Sequence, residues 1–348
     1  MTNLFTKNLY IKEEVACALL GAILRNEKET AIFWGLELYY SGYQEEVVDY
    51  LWTIYYSFHA SLNPSFEKYM IRKLSDVDLT RVLIITTIIT NLCIKPYTTD
   101  VYVLLNSVTL VKTTHFEEEW FLEKDFESIA NYIMSDEFEA SEEEMDDIRT
   151  HALNFYRIKW YREMLLPSPN ICLKMRFLSH IMQICSTQVY EIPKKNRLNV
   201  SSAHMKTPLE NPHAPVKIRT RDILKNACKF EINCSNMLHL FSLKRHDCET
   251  NSMDIKKCYR DNWLYHCSQT PYWSEKITEY GGIVNVERKE VEFGDAEKEE
   301  AFFKEYSLEP DEQPTEVQNK SIQDIVEFEG DDAIVEFKKM FGKWDIIV

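Results

Sequence analysis

Glycine is scarce in this chain, with eight in 348 residues and none between Gly42 and Gly281. Backbone positions that demand positive φ must be avoided there or filled by other residues, which favours helices over tight hairpins. The same scarcity removes the glycine-rich phosphate cradles, since neither G-x-G-x-x-G nor G-x-x-x-x-G-K-[ST] occurs. Nucleotide chemistry built on those two loops is excluded. H-E-x-x-H, G-x-S-x-G and C-x-x-C are missing too, so the usual signatures of zinc proteases, serine hydrolases and zinc ribbons fail.

Long apolar runs are also lacking. The most apolar one, "VLIITTII" (Val82 to Ile89), falls well short of the roughly 20 residues a membrane span needs. The opening "MTNLFTKNLYIKEEVACALL" has no uninterrupted apolar core behind a basic start, which argues against a signal peptide. The nine cysteines are odd in number and no two lie closer than Cys228 and Cys234. That usage fits reduced thiols in a cytosolic or nuclear setting, without disulfides. The expectation is a soluble intracellular protein that does not engage a membrane.

What remains is ordinary globular composition, 45% hydrophobic and 13% aromatic, in a chain long enough for about two domains. Apolar residues recur at helical spacing from Ile11 to about Gln188. Val15, Ala18, Leu19, Ala22 and Ile23 mark one stripe, and Val47, Leu51, Ile54, Tyr55 and Phe58 another. Between them "ETAIFWGLELYYSG" is apolar on nearly all sides, which places a helix inside a bundle with Gly42 as its C-terminal cap. Val82 to Thr90 is rich in β-branched residues, yet its length and neighbours favour helix. Pro64, Pro96, Pro167 and Pro169 interrupt the pattern. No fixed repeat period emerges, so an irregular bundle is preferred to a solenoid.

Residues 191–220 hold four of the eleven prolines and lack periodicity, which reads as a long connection. Beyond it, Thr270 is a good N-cap with Pro271 at the first helical position, and Gly281-Gly282 closes that helix. Ile283 to Phe293 alternates as a short two-stranded ribbon, and an acidic helix starts at Asp295. The fold class expected is mainly α: a helical bundle over 1–190, a basic connection over 191–220, and a small mixed α+β part over 221–348 with acidic C-terminal helices.

Charge is unevenly spread. Val111 to Asp147 carries 14 acidic and 2 basic residues, Tyr190 to Arg260 14 basic and 7 acidic, and Glu287 to Lys339 18 acidic and 7 basic. Within the basic block, Lys194, Lys195, Arg197, Lys217, Arg219 and Arg221 could track phosphates without reading bases. A formal charge of −16 opposes long-range attraction to nucleic acid, and the acidic blocks of the same chain compete for the site.

Three further constellations invite chemistry. Cys228, Cys234, His239, His246, Cys248, Cys258, His266 and Cys267 supply the ligand types zinc prefers, but no pair forms a tight knuckle. His266 and Cys267 are adjacent and point in different directions, so they cannot form an activated thiolate pair. "EPDEQPTEVQNK" loosely resembles a metal-nuclease signature through Pro310, Asp311, Gln318 and Lys320, yet no apolar strand flanks it. No catalytic residue, metal ligand or cofactor is assigned. The stretch "NWLYHCSQTPYWSEKITEYGG" is read as a packing device, with Trp263, Tyr272 and Trp273 as structural anchors.

"YHCSQTPYWSEKITEYGG", "FFKEYSLEPDEQPTEVQNKSI" and "AIFWGLELYYSGYQEEVVDYLWTIYYSF" resemble a family of uncharacterised proteins of the giant nucleocytoplasmic large DNA viruses. The likeness covers both ends of the chain and leaves its middle unmatched. It implies a viral protein in a virion or in the viral factory of the host cytoplasm, and it carries over no functional residue. The function expected is a non-catalytic interaction or scaffold protein, a minor virion component or a replication-factory factor, with other viral or host proteins as partners. A nucleic-acid-associated factor using the basic connection is the alternative, and a metal-dependent enzyme the third reading. Oligomeric state is left open.

Overall fold

The computed structural model describes residues 5–10, 12–75, 81–107, 115–156, 173–185 and 262–306. Among them are thirteen α-helices, one π-helical turn and one two-stranded sheet, a mainly α fold with a small α+β part at its C-terminal end. Helices α1 (Lys12–Leu24), α2 (Lys28–Tyr40) and α3 (Gln44–Ile54) lead into the π turn Tyr55–His59. Then follow α4 (Phe66–Leu74), α5 (Arg81–Ile94), α6 (Asp100–Ser107), α7 (Glu119–Glu123), α8 (Phe126–Met134), α9 (Glu142–Phe155) and α10 (Leu173–Cys185). The last described segment holds α11 (Trp263–Cys267), α12 (Pro271–Glu279), β1 (Gly282–Asn285), β2 (Glu290–Phe293) and α13 (Ala296–Tyr306).

Local chemistry accounts for many of these boundaries. Asp125 caps α8 by accepting from the Ser128 amide at 3.0 Å, and Ser141 caps α9 by accepting from that of Glu144 at 3.2 Å. Glu142, Glu143 and Glu144 then place negative charge where the α9 macrodipole is positive. α5 is helical despite its β-branched content. Its Thr86 and Thr90 hydroxyls donate to the carbonyls of Val82 and Thr86, at 2.9 and 2.8 Å, so these buried polar groups are satisfied within the helix. Gly42 follows α2 at φ +96°, and a Cβ there would collide with the Pro271 ring.

The chain forms two compact units whose boundary falls inside α3, after Val47. The first joins the described residues up to Val47 with those of 262–306. In it α1 packs on α2, and a core of Phe5, Leu9, Cys267, Trp273, Ile277 and Phe302 closes the C-terminal elements. β1 and β2 pair antiparallel, Ile283 opposite Glu292 and Val284 opposite Val291, as the alternation over Ile283 to Phe293 suggests. The second unit holds the described residues from Val48 to Cys185, with a core that includes Ile129, Ile133, Phe138, Ile148, Phe177, Leu178 and Ile181. This grouping runs across the division at residue 190 that the sequence suggests. The N-terminal helices belong with the C-terminal ribbon because their partners are distant in sequence, which hydrophobic periodicity cannot register. The connection over 191–220 lies outside the described residues.

Candidate functional site

The aromatic stretch sits in the first unit. Trp273 is 2% exposed, with its ring edge-on to Tyr306 (centroids 5.3 Å apart, planes at 85°) and to Tyr272 (5.0 Å). Trp263 and Tyr272 are half-buried against the same cluster. Thr270 occupies the N-cap position of α12 in extended geometry, but its hydroxyl donates to the Phe5 carbonyl at 2.5 Å and makes no cap hydrogen bond. Tyr43 donates to the same carbonyl at 3.1 Å. The N-terminal segment is thus tied to α12 and to the end of α2.

Glu37, a buried carboxylate on α2, fixes the preceding loop. It accepts from the Asn8 amide at 2.9 Å and from Asn8 Nδ2 at 2.6 Å. Burial raises its pKa, and the hydrogen bonds from Thr6 and Asn8 oppose that rise. The Lys7 ammonium lies over the Tyr272 ring, 4.8 Å from its centroid. Cys267, fully buried, has its thiol pushed well above the usual range, which holds it protonated and unreactive. Burial, aided by Lys289, lowers the pKa of neighbouring His266. Neither has a geometry for nucleophilic work.

In the second unit several polar groups are held inside by hydrogen bonds and one ion pair. Glu67 of α4 receives the Arg176 guanidinium of α10 at 2.6 Å and the Tyr56 hydroxyl at 2.5 Å, all on Oε1. His59, at the end of the π turn, has Nδ1 3.3 Å from the Pro96 carbonyl. Asn63 Nδ2 donates to that carbonyl at 2.7 Å and to that of His59 at 3.0 Å. Complete burial takes the His59 pKa down to about 3, so the ring is neutral at physiological pH. Burial, with Arg149 and Arg176 nearby, takes His180 to about 4. Cys185 is pushed up to about 12 by burial. These groups fasten the fold, and burial suppresses the imidazolium of the two histidines and the thiolate of Cys185.

The surface presents a different chemistry. Ile283 is 70% exposed and Val286 53%, and Val284 is exposed beside them, all on or next to β1. Glu287, Glu290, Glu292, Asp295, Glu297, Glu299 and Glu300 of the same segment are exposed, as are Arg288, Lys289 and Lys298. No third strand pairs with the ribbon among the described residues. An exposed apolar strand in a segment with more acidic than basic side chains is a distinctive feature of this unit.

Lys194, Lys195, Arg197, Lys217, Arg219 and Arg221 lie outside the described residues, as do Pro310, Asp311, Gln318 and Lys320 and most of the Cys/His series. Among the described residues no group of three or more His, Cys, Asp or Glu side chains converges as for a metal ion, and no helix is long and apolar enough to cross a membrane. Sequence reasoning missed Glu37, His59 and the Glu67–Arg176 pair. Glu37 carried a signal, the one acid in the apolar run "AIFWGLELYY", and so did Arg176 among the apolar residues of α10. Comparison with protein-family models, curated proteins and solved structures finds no match.

Proposed function

We propose that this protein works by binding other proteins, without catalysis, and that the β1–β2 ribbon is its docking edge for an extended basic segment of a partner. The observation that carries this reading is the exposure of Ile283, Val284 and Val286 on a two-stranded sheet in a segment where acidic side chains outnumber basic ones. An unpaired strand edge offers backbone donors and acceptors to an incoming strand, and alternate side chains give it apolar contacts. Residues 282–306 carry eight acidic and four basic side chains, so the complementary partner is rich in Lys or Arg. The burial of the potential nucleophiles and bases, Cys267, Cys185, His59 and His180, supports a non-catalytic role. The likeness to giant-virus proteins supports a place in an assembly of the virion or of the viral factory in the host cytoplasm.

The test is a titration of the full-length protein with extended peptides that alternate basic and apolar residues, followed by fluorescence anisotropy. Binding should be saturable, weaken with salt, and fall at least about tenfold in Ile283→Glu/Val286→Glu, about 1.4 kcal/mol. Retained affinity in that variant removes the ribbon from the interface. Tight binding of DNA or RNA, with none of the peptides, supports instead the nucleic-acid reading based on the basic connection.

A further inference from the structure

Large hydrophobic side chains are exposed in two places among the described residues: Ile283, Val284 and Val286 at the ribbon, and Leu122 (63%) and Phe155 (38%) in the second unit. Leu122 and Phe155 stand on α7 and α9, which pack on each other. Across that contact His151 Nε2 lies 3.1 Å from Glu118 Oε1. Leu122 follows Glu118 by four residues in helical backbone, and Phe155 follows His151 by four within α9. Each apolar side chain is thus one turn, about 5.4 Å of rise, beyond a member of the same contact. A single partner helix of about 18 residues, roughly 27 Å long, spans both.

The charge of this segment has one sign. Residues 115–156 carry 14 acidic and 2 basic side chains. The fold itself uses some of the acids: Asp125 caps α8, Glu144 receives the Tyr132 hydroxyl at 2.6 Å, Asp146 meets Arg149, and Glu119, Glu127 and Glu142 stand in first helical turns. Glu123, Asp136, Glu137 and Glu139 are exposed and make no ion pair. Like charges at this density repel, and a basic partner relieves that repulsion. Carboxylates alone describe a solvated face. An exposed leucine and phenylalanine, each a turn from the same contact, add the apolar area that an interface removes from water.

We propose that the α7–α9 face docks a basic amphipathic helix of a partner protein, with Leu122 and Phe155 against its apolar stripe and the carboxylates of residues 115–156 answering its Lys and Arg side chains. Helices pair their own backbone donors and acceptors, so this face offers side chains and no edge to which a strand could add. A helix that carries apolar residues on one side and basic residues beside them presents both along one line. The surface belongs to the second unit, and the proposal does not rest on the reading of the ribbon.

Fluorescence anisotropy tests it, with full-length protein titrated into a labelled helical peptide of about 18 residues that carries Leu at i, i+3, i+4 and i+7 spacing and Lys elsewhere. A second peptide of equal charge has Ala in place of each Leu. The Leu peptide should bind saturably, at least about tenfold more tightly than the Ala peptide, and more weakly as salt rises. Leu122→Ser/Phe155→Ser should weaken that binding about tenfold or more, whereas Ile283→Glu/Val286→Glu should leave it unchanged. Both replaced side chains of the first variant are exposed, so the fold survives, which far-UV circular dichroism verifies. Equal affinity for the two peptides reduces the surface to charge alone and overturns the proposal. So does equal affinity of the parent and Leu122→Ser/Phe155→Ser proteins, absence of saturable binding, or a loss confined to the ribbon variant. A concentration-dependent dimer that Leu122→Ser/Phe155→Ser dissolves assigns the face to a second copy of this chain and overturns it as well.

Discussion

The Thr270 hydroxyl donates to the Phe5 carbonyl at 2.5 Å, joining residues 265 positions apart within the first unit. Around this bond Trp273, Phe302 and Leu9 are buried, so the N-terminal segment closes a core that α12 and α13 provide. The aromatic stretch and the first residues of the chain therefore stabilise each other.

Removing either side of this arrangement should be costly. Trp273→Ala should destabilise the protein by about 3 to 5 kcal/mol, since it deletes a fully packed indole. Thr270→Val, which preserves shape and removes the Thr270 donor from the Phe5 carbonyl, should cost about 1 kcal/mol. Urea unfolding followed by far-UV circular dichroism measures both. A loss below about 1 kcal/mol for Trp273→Ala contradicts the anchoring role.

The Glu67–Arg176 pair gives a second prediction. Arg176→Met leaves a buried carboxylate uncompensated and should cost about 3 to 5 kcal/mol. Glu67→Gln in the same chain should recover part of that loss, because the stranded charge is gone. A double-mutant cycle on thermal or urea unfolding checks it, and strict additivity of the two changes would show that the groups do not interact.

Acid should unfold the second unit early. His59 titrates near 3 and His180 near 4 in the folded chain, against 6.5 for the ordinary imidazole, so the unfolded state binds more protons between those values. Their contribution is complete above pH 6.5 and is lost as pH falls toward 4 and then 3. Each histidine lowers stability by up to about 1.4 kcal/mol per pH unit within its window. Glu37 in the first unit has the opposite sense. Its raised pKa gives stability that is present below 4.5 and declines as pH rises through the folded value. Unfolding free energies from pH 7 to 4 for the parent and His59→Gln proteins read the histidine term directly. An identical pH slope in both contradicts the neutral burial of His59.

Helices were legible in the sequence because their determinants are local. The stripes of α1 and α3, the apolar face-all-round of α2, Gly42 after it, and Pro271 at the start of α12 each declare themselves within a few residues. The ribbon was legible for the same reason. Pairings such as Thr270 with Phe5, or Arg176 with Glu67, leave no period in the chain, and so the joining of the two ends into one unit was invisible. Thr270 was identified as a cap by residue type, yet its hydroxyl serves a partner at the far end of the sequence. Trp273 was legible as a large aromatic by its neighbours, while the exposure of Ile283 and Val286 could not be told from burial by alternation alone. The lone acid in "AIFWGLELYY" was a readable sign of a buried carboxylate.

Hydrogen–deuterium exchange of the backbone amides tests most directly whether the β1–β2 ribbon is a docking edge. In the presence of a saturating basic peptide, amides of Gly282 to Asn285 or of Glu290 to Phe293 should exchange at least about tenfold more slowly, as a new strand takes up the outer donors. The effect should vanish in Ile283→Glu/Val286→Glu. Protection that appears elsewhere while the ribbon amides exchange at their free rate contradicts the docking edge.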